Sequence, residues 1–336
     1  MYLCDKIKLS MKKIFQYSIL VVTLVLFLNS CKQHSSNTSD AASNSADSLK
    51  GSVSLSGAFA LYPISVKWGE AYKKLHPNVK FNVNGGGAGK GMADVLGGLV
   101  DIGNLSRDLH KAEAEQGAIA IPVAIDAVVP TINASNPGIK SLLQTGLTQA
   151  QFKSVFIEGK IKNWNELIKG INAPINVYTR SDAAGAAETW AAYCGGKQED
   201  LIGSGVFGDP GLLQAVQRDP SAIGFNNISF VYDAKTKGVQ PEVKVLPIDW
   251  NANGKIDPEE SYYDNLDSIV HAIDHGKYKK PPARLLYFVI KKGKAPKTVV
   301  DFIQWVLTDG QAYLKEAGYV PLNPQEIEQA KLLIKP

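Results

Sequence analysis

Cysteine, methionine and histidine are scarce in this chain, at three, three and five of 336 residues. Cysteines at positions 4, 31 and 194 make no disulfide framework, so the fold must rest on its own core. Cys194, in an Ala-rich helical stretch, reads as a packing residue. None of the histidines falls in a zinc-binding or catalytic pattern, and no nucleophile stands with a recognisable base. A hydrolase reading therefore finds no machinery, and the chain is expected not to be an enzyme. Long apolar runs are missing too: the stretch Ile19–Leu28 is too short for a comfortable membrane span. Nor is there an excess of charge, with 36 basic residues against 32 acidic ones. The first 31 residues hold four lysines and one acid, which leaves 32 against 31 for the remainder. No basic stripe with interleaved aromatics appears, so nucleic acid is not an expected partner. Any anionic ligand must be held by local donors and not by bulk charge.

What is present at the start is an export pattern. Lys12 and Lys13 precede the apolar run, which ends in Leu28-Asn29-Ser30-Cys31. A basic opening, a short apolar stretch and small residues before a cut form a secretory signal, with Met11 the expected start. A cysteine directly after those small residues resembles the bacterial lipobox, which makes Cys31 the expected lipidated residue and 1–31 a lipoprotein signal peptide. Residues 32–50, rich in Ser, Asn and Asp, have nothing to bury and read as a flexible tether. The expected location is the cell envelope, facing the periplasm, with the membrane reached through the lipid alone.

The length calls for two domains, and 45% hydrophobic against 20% charged residues fits a soluble globular body. From Ser52 onward, alternating strands such as Val53–Ser56 and Val79–Val83 are followed by helical patterns, one carrying Trp68, Tyr72 and Leu75. Strand–helix alternation of this kind predicts an open α/β sheet, with ligands at the carboxyl ends of the strands. A second unit begins near Thr131, and the apolar strand Leu285–Ile290 with the amphipathic helix over Val299–Leu307 is expected to rejoin the first. The expected division is 51–130 plus 284–336 for domain I and 131–283 for domain II, with hinge crossings near Val128–Thr131 and Pro282–Leu285.

Three strand-to-helix loops are candidate anion sites: Ser56–Leu61, Gly85–Gly91 and Thr179–Ala186. Free N–H groups at a helix start attract anions, and glycine lets the backbone come close. The Gly-rich loop is not a nucleotide P-loop, because Lys90 is followed by Gly91. The segment Asp101-Ile102-Gly103-Asn104-Leu105-Ser106-Arg107 lies between the second and third loops.

These pieces in order carry a resemblance. Gly57, Tyr62-Pro63, Lys67-Trp68 and Tyr72, then Gly85-Gly86-Gly87-Ala88-Gly89, Asp101-Ile102-Gly103, Asn163-Trp164, Arg180-Ser181-Asp182 and Gly318-Tyr319-Val320-Pro321-Leu322, are similar to the periplasmic phosphate-binding protein family. The resemblance covers nearly all of 52–325. It implies a two-domain periplasmic-binding-protein (Venus-flytrap) α/β fold, a monomer, and a receptor that passes phosphate to an ABC permease. It implies that Asp101 accepts a proton from hydrogen phosphate, that Arg180 forks onto phosphate oxygens, and that Gly185 donates its backbone N–H. Ala60 and Leu61, Ala88, Ala184 and Ala186 occupy the neighbouring contact positions, with Ser106 between. The family usually has Ser or Thr where this chain has Ala60, Ala88, Ala184 and Ala186, and each lost neutral hydrogen bond costs about 0.5–1.5 kcal/mol. Ser106, Arg107 and Ser181 are candidates to compensate. Another oxyanion or small anionic metabolite, or a surface adhesion or scaffold role, are the alternatives.

Separately, Asp249-Trp250-Asn251-Ala252-Asn253-Gly254-Lys255-Ile256-Asp257-Pro258-Glu259-Glu260 fits an EF-hand loop at every ligand position. Asp249, Asn251, Asn253, Asp257 and Glu260 supply side-chain oxygens and Lys255 a carbonyl. The expectation is a structural calcium ion, with a helix following from about Ser261 to Ile273.

Overall fold

The computed structural model describes residues 49–334. The first half-sheet opens with β1 (Gly51–Gly57), a 3-10 turn at Phe59–Leu61 and α1 (Tyr62–Leu75), then β2 (Val79–Gly85), α2 (Ala88–Leu96), β3 (Ile102–Leu105), α3 (Lys111–Glu115) and the long β4 (Ala118–Asn133). The second continues with α4 (Ile139–Thr145), α5 (Gln149–Phe156), β5 (Asn176–Arg180), α6 (Gly185–Tyr193), β6 (Ser204–Val206), α7 (Gly208–Arg218), β7 (Ala222–Asn227), α8 (Ile228–Val231), β8 (Val243–Val245) and α9 (Leu266–Asp274). The chain closes with β9 (Ala283–Lys291), α10 (Lys297–Val306) and α11 (Pro324–Leu333).

The strands lie in the order β2-β1-β3-β9-β4-β7-β5-β6, with β8 on β4. Pairing is parallel for β1 with β2 and β3, and for β5 with β6 and β7. β4 joins the halves. Its first part pairs antiparallel with β9 as far as Ala127, and from Val128 it pairs with β7. The run from Val123 to Asn133 is buried throughout, and a continuous apolar sequence suits a strand covered on both faces. Pro122 sits where the β4–β9 register slips, the kind of position at which a sheet tolerates a residue without an N–H.

Each half has its own aromatic packing. Trp68 and Tyr72 of α1 are buried, and Trp68 donates to the Gly310 carbonyl at 2.8 Å. Tyr72 meets Phe81, Phe302 and Trp305 edge-on, so α1 and α10 close one face of the first half-sheet. In the second, Trp190 of α6 packs on Phe152, Phe156 and Phe225. This is the bilobed α/β architecture that the strand–helix alternation and the family resemblance implied.

Candidate functional site

Strand direction decides where a site can form. β1, β2 and β3 run parallel, so their carboxyl ends share one edge, and the loops after them meet there. The Ala58 N–H donates to the Asn104 carbonyl at 2.8 Å and the Gly87 N–H to the Gly57 carbonyl at 3.0 Å, which ties the three loops into one rim. Gly57 has φ +129, and a Cβ there would overlap the Asn104 carbonyl, so no other residue fits the turn. From the other half, β5 ends in Arg180, and Ser181–Ala184 lead into α6.

The two rims touch. The Gly89 N–H donates to the Ala183 carbonyl at 3.0 Å. Gly185 lies so close to Ser106 that a Cβ would overlap its carbonyl and hydroxyl, and a Cβ on Gly87 would stand 2.5 Å from Asp182 Oδ2. Two helices begin at this junction, α2 behind Gly87 and α6 behind Ala184, and neither has a side-chain cap. Elsewhere Thr148, Asn265 and Asn323 cap α5, α9 and α11 with their own oxygens. The junction thus presents two helix starts whose first N–H groups no capping side chain occupies, from opposite halves, with the positive ends of their dipoles converging.

Arg180 stands beside them, buried. Its Nε and NH2 fork onto Asp182, at 2.8 and 2.6 Å, and its NH1 donates to Asp209 Oδ2 at 2.7 Å. The guanidinium also lies 5.4 Å from the centre of the Phe59 ring, which meets Phe207 and Phe230 edge-on. Burial pulls its pKa down, but Asp209 and Asp182 outweigh this and hold it above the ordinary arginine value. Asp209, wholly buried, accepts the Asn227 backbone N–H at 2.9 Å and its side-chain amide at 2.8 Å. Arg284 donates to the Asn227 side-chain oxygen, to Thr189 at 3.1 Å, and to Asp126 at 2.9 Å. A buried polar chain therefore runs from the rim to β4 and β9, where the halves join. Burial raises the Asp126 pKa even against the lowering effect of Arg284.

A second contact bridges the halves at the surface. Arg107, after β3, reaches Glu188 of α6 at 3.2 Å while holding Glu113 at 2.5 Å, and His110 lies 3.2 Å from the other Glu188 oxygen. Burial penalises the Glu113 carboxylate, yet Arg107 holds its pKa below the usual value.

Of the residues expected to form the site, the fold gathers Ala60, Leu61, Ala88, Ser106, Arg180, Ala184, Gly185 and Ala186 at or beside this junction. Two are already committed to structure: the Ala60 carbonyl accepts from Tyr319 at 2.8 Å, and the Ala184 N–H donates to Gln198 Oε1 at 3.1 Å. Asp101 is a correction. It precedes β3, at the strand's amino end, and its carboxylate accepts the Ser54 N–H at 2.8 Å and hydroxyl at 2.6 Å. Ser106 leaves the carboxyl end of the same strand, so the strand's length separates Asp101 from the rim. Sequence reasoning missed Asp209 and Glu188, and took Phe59 only as part of a loop and Asp182 only as part of a motif. Asp209 gives no local signal, because it lies 29 positions from Arg180 and is brought there by the fold.

Calcium is a second correction. Among the described residues no group of three or more His, Cys, Asp or Glu side chains comes together to hold a metal. The loop spends its oxygens on itself. Asp249 accepts the N–H groups of Asn253 and Gly254, at 3.2 and 2.8 Å, and Asn251 accepts the Asn253 N–H at 3.0 Å. Asn253 accepts the Lys255 N–H at 3.1 Å. Asp257 is taken by Lys255 Nζ at 2.7 Å and by the amides of Asn251 and Asn253. Glu260 accepts the N–H groups of Trp250 at 2.9 Å and Asp257 at 3.2 Å. The helix after the loop starts at Leu266 and not near Ser261, because Asn265 supplies its cap. Cys31 and the leader lie outside the described residues. No helix among the described residues is long and apolar enough to cross a membrane.

A family model described as a PBP superfamily domain matches residues 39–310. The phosphate-binding protein PstS of Methanocaldococcus jannaschii is 30% identical over 327 residues, covering 82% of this chain and 82% of that protein. Protein SphX of Synechococcus elongatus is 29% identical, covering 82% and 79%. Among solved structures, one from Clostridium perfringens, assigned as a phosphate ABC transporter substrate-binding protein and holding bound phosphate, superposes with a TM-score of 0.67 at 25% identity, over 81% of this chain and all of that one. Domain match, sequence relatives and shared fold agree: the chain belongs to the phosphate-binding proteins of the PBP superfamily, the homologues of PstS and SphX.

Proposed function

We propose that this chain is an extracytoplasmic receptor that captures inorganic phosphate between its two halves and delivers it to an ABC permease. The observation that carries this reading is the meeting of two uncapped helix starts, α2 and α6, from opposite halves beside the buried Arg180. Helix N-termini bind oxyanions through backbone N–H groups, and those donors survive the replacement of Ser or Thr by alanine. Ala88, Gly185 and Ala186 then offer main-chain donors, Ser106 a hydroxyl, and Arg180 the two N–H groups not spent on Asp182 and Asp209. Residues 51–130 with 284–336 would form one closing domain and 131–283 the other. An anion touching both favours the closed state by its greater affinity for that state.

The finer envelope reading is also a proposal. Cys31 follows a signal-like run and would carry a lipid, with 32–50 as tether, so that the receptor reaches its permease from a membrane anchor. Calorimetric titration with phosphate and sulfate tests the binding; a protein that takes up neither at millimolar concentration is not a phosphate receptor. Fractionation of Cys31→Ser tests the anchor, which is wrong if the variant stays with the membrane as wild type does.

A further inference from the structure

Two anion-binding groups of the junction are engaged by the opposite half. Gly89 is the second residue of α2, and its N–H, one of the free donors of that helix start, goes to the Ala183 carbonyl at 3.0 Å. Arg180 spends three of its five N–H groups on Asp182 and Asp209. The two that remain are out of reach of solvent, because the side chain is only 2% exposed. What lies against it from the first half is Phe59, with the guanidinium carbon 5.4 Å from the ring centre. The ring fits a slot between two glycines. A Cβ on Gly85, in its own half, would stand 2.7 Å from the ring, and one on Gly208, across the junction, 3.0 Å. Phe207 and Phe230 of the second half meet the ring edge-on, with centroids at 5.9 and 6.4 Å. The slot is shallow: Phe59 is half-buried and Phe207 is 60% exposed, so the ring has a way out to solvent. An oxyanion holds a guanidinium better than a ring does, but it must first break the Phe59 contacts. A ligand that binds only after a residue moves aside has its affinity reduced by the fraction of protein that is open.

We infer that Phe59 is an aromatic plug of the cleft: it competes with the oxyanion for the Arg180 guanidinium, and so sets how tightly and how fast the anion is taken up. The inference rests on the phosphate reading above and adds the residue that limits it.

The test compares the full chain with Phe59→Ala, by calorimetric titration with inorganic phosphate and by stopped-flow tryptophan fluorescence. The variant is expected to bind phosphate more tightly, by about three- to thirtyfold, the equivalent of a ring's hold on a desolvated guanidinium. In the wild type the observed rate should level off as phosphate rises, at the rate at which the plug leaves. In the variant it should keep rising in proportion to phosphate. A ring that only packs the fold would leave this rate law unchanged. Phe207→Ala, at an exposed position of the opposite half, loosens the plug from its other side and should shift both readouts the same way by a smaller factor. It decides in place of Phe59→Ala should that variant not fold. Phosphate affinity unchanged or weakened in the deciding variant, or a wild-type rate with no plateau, overturns the inference and leaves the phosphate reading standing. Uptake by the variants alone upholds both. Uptake by neither the wild type nor either variant overturns the phosphate reading, and this inference with it.

Discussion

Arg180 donates to Asp209 across 2.7 Å at a depth where Asp209 has no exposure at all. Asp182 takes the opposite edge of the same guanidinium. The arginine is thus a structural ion before it is a ligand-binding one. Removing one partner of a buried pair leaves the other charged and unpaired, which costs about 3–5 kcal/mol. Arg180→Met should therefore destabilise by about that much, read from urea unfolding, and should bind no phosphate. Arg180→Lys keeps the charge but loses the fork. It should fold better than the methionine variant and still lose at least about tenfold in affinity, or about 1.4 kcal/mol.

Asp101 and Ser106 separate a sequence-based expectation from the folded arrangement. They bracket β3, and only Ser106 is at the end that meets Gly185. Asp101→Asn should leave phosphate affinity within about twofold, with a stability loss of about 1 kcal/mol for its weakened bonds to Ser54. Ser106→Ala should cost about 0.5–1.5 kcal/mol of binding, up to about tenfold. The opposite ranking in calorimetry would return the ligand contact to Asp101.

Much of the α/β frame was legible because period and punctuation are local: Val53–Ser56, Val79–Val83 and Leu285–Ile290 lie within strands, and the helix face of Val299, Phe302 and Ile303 is buried. Glycine-rich turns marked the rims for the same reason. What sequence spacing could not supply was which end of a short strand faces the junction. That depends on pairing direction, and it misassigned Asp101. Asp209 and Arg284 were invisible for a related reason, since a buried ion pair between distant elements leaves no periodic trace. The EF-hand-like loop shows the converse. Its spacing matched, but Asp, Asn and Glu oxygens also cap their own backbone turns, and here Lys255 takes the Asp257 carboxylate and draws its pKa down to about 2.

The inner end of the polar chain makes its own prediction. Arg284 and Asp126 join β9 to β4, the two strands that connect the halves, and both are buried. Arg284→Met alone should cost about 3–5 kcal/mol by leaving Asp126 unpaired. With Asp126→Leu added, the loss should shrink by at least about 2 kcal/mol, because two apolar groups replace a desolvated pair. Additive losses in a double-mutant cycle would mean that the two side chains act independently.

Glu188 is the last test, and it concerns closure and not folding. It sits on α6 of the second half and reaches Arg107 and His110 of the first, each at 3.2 Å. Arg107 keeps Glu113 whether or not the halves separate, since both lie on the same side. In this surface cluster opening therefore costs only the Glu188 contacts, and Glu188 is more than a third exposed, so solvent discounts them to about 0.2–1 kcal/mol. Glu188→Gln should leave the unfolding free energy nearly unchanged. It should speed phosphate release in stopped-flow measurements by up to about fivefold, the rate equivalent of about 1 kcal/mol. Salt should accelerate release from the wild type and have little effect on the variant, because screening acts on the pair that the variant lacks. A variant with wild-type release and the same salt dependence would show that the contact follows closure and does not hold it.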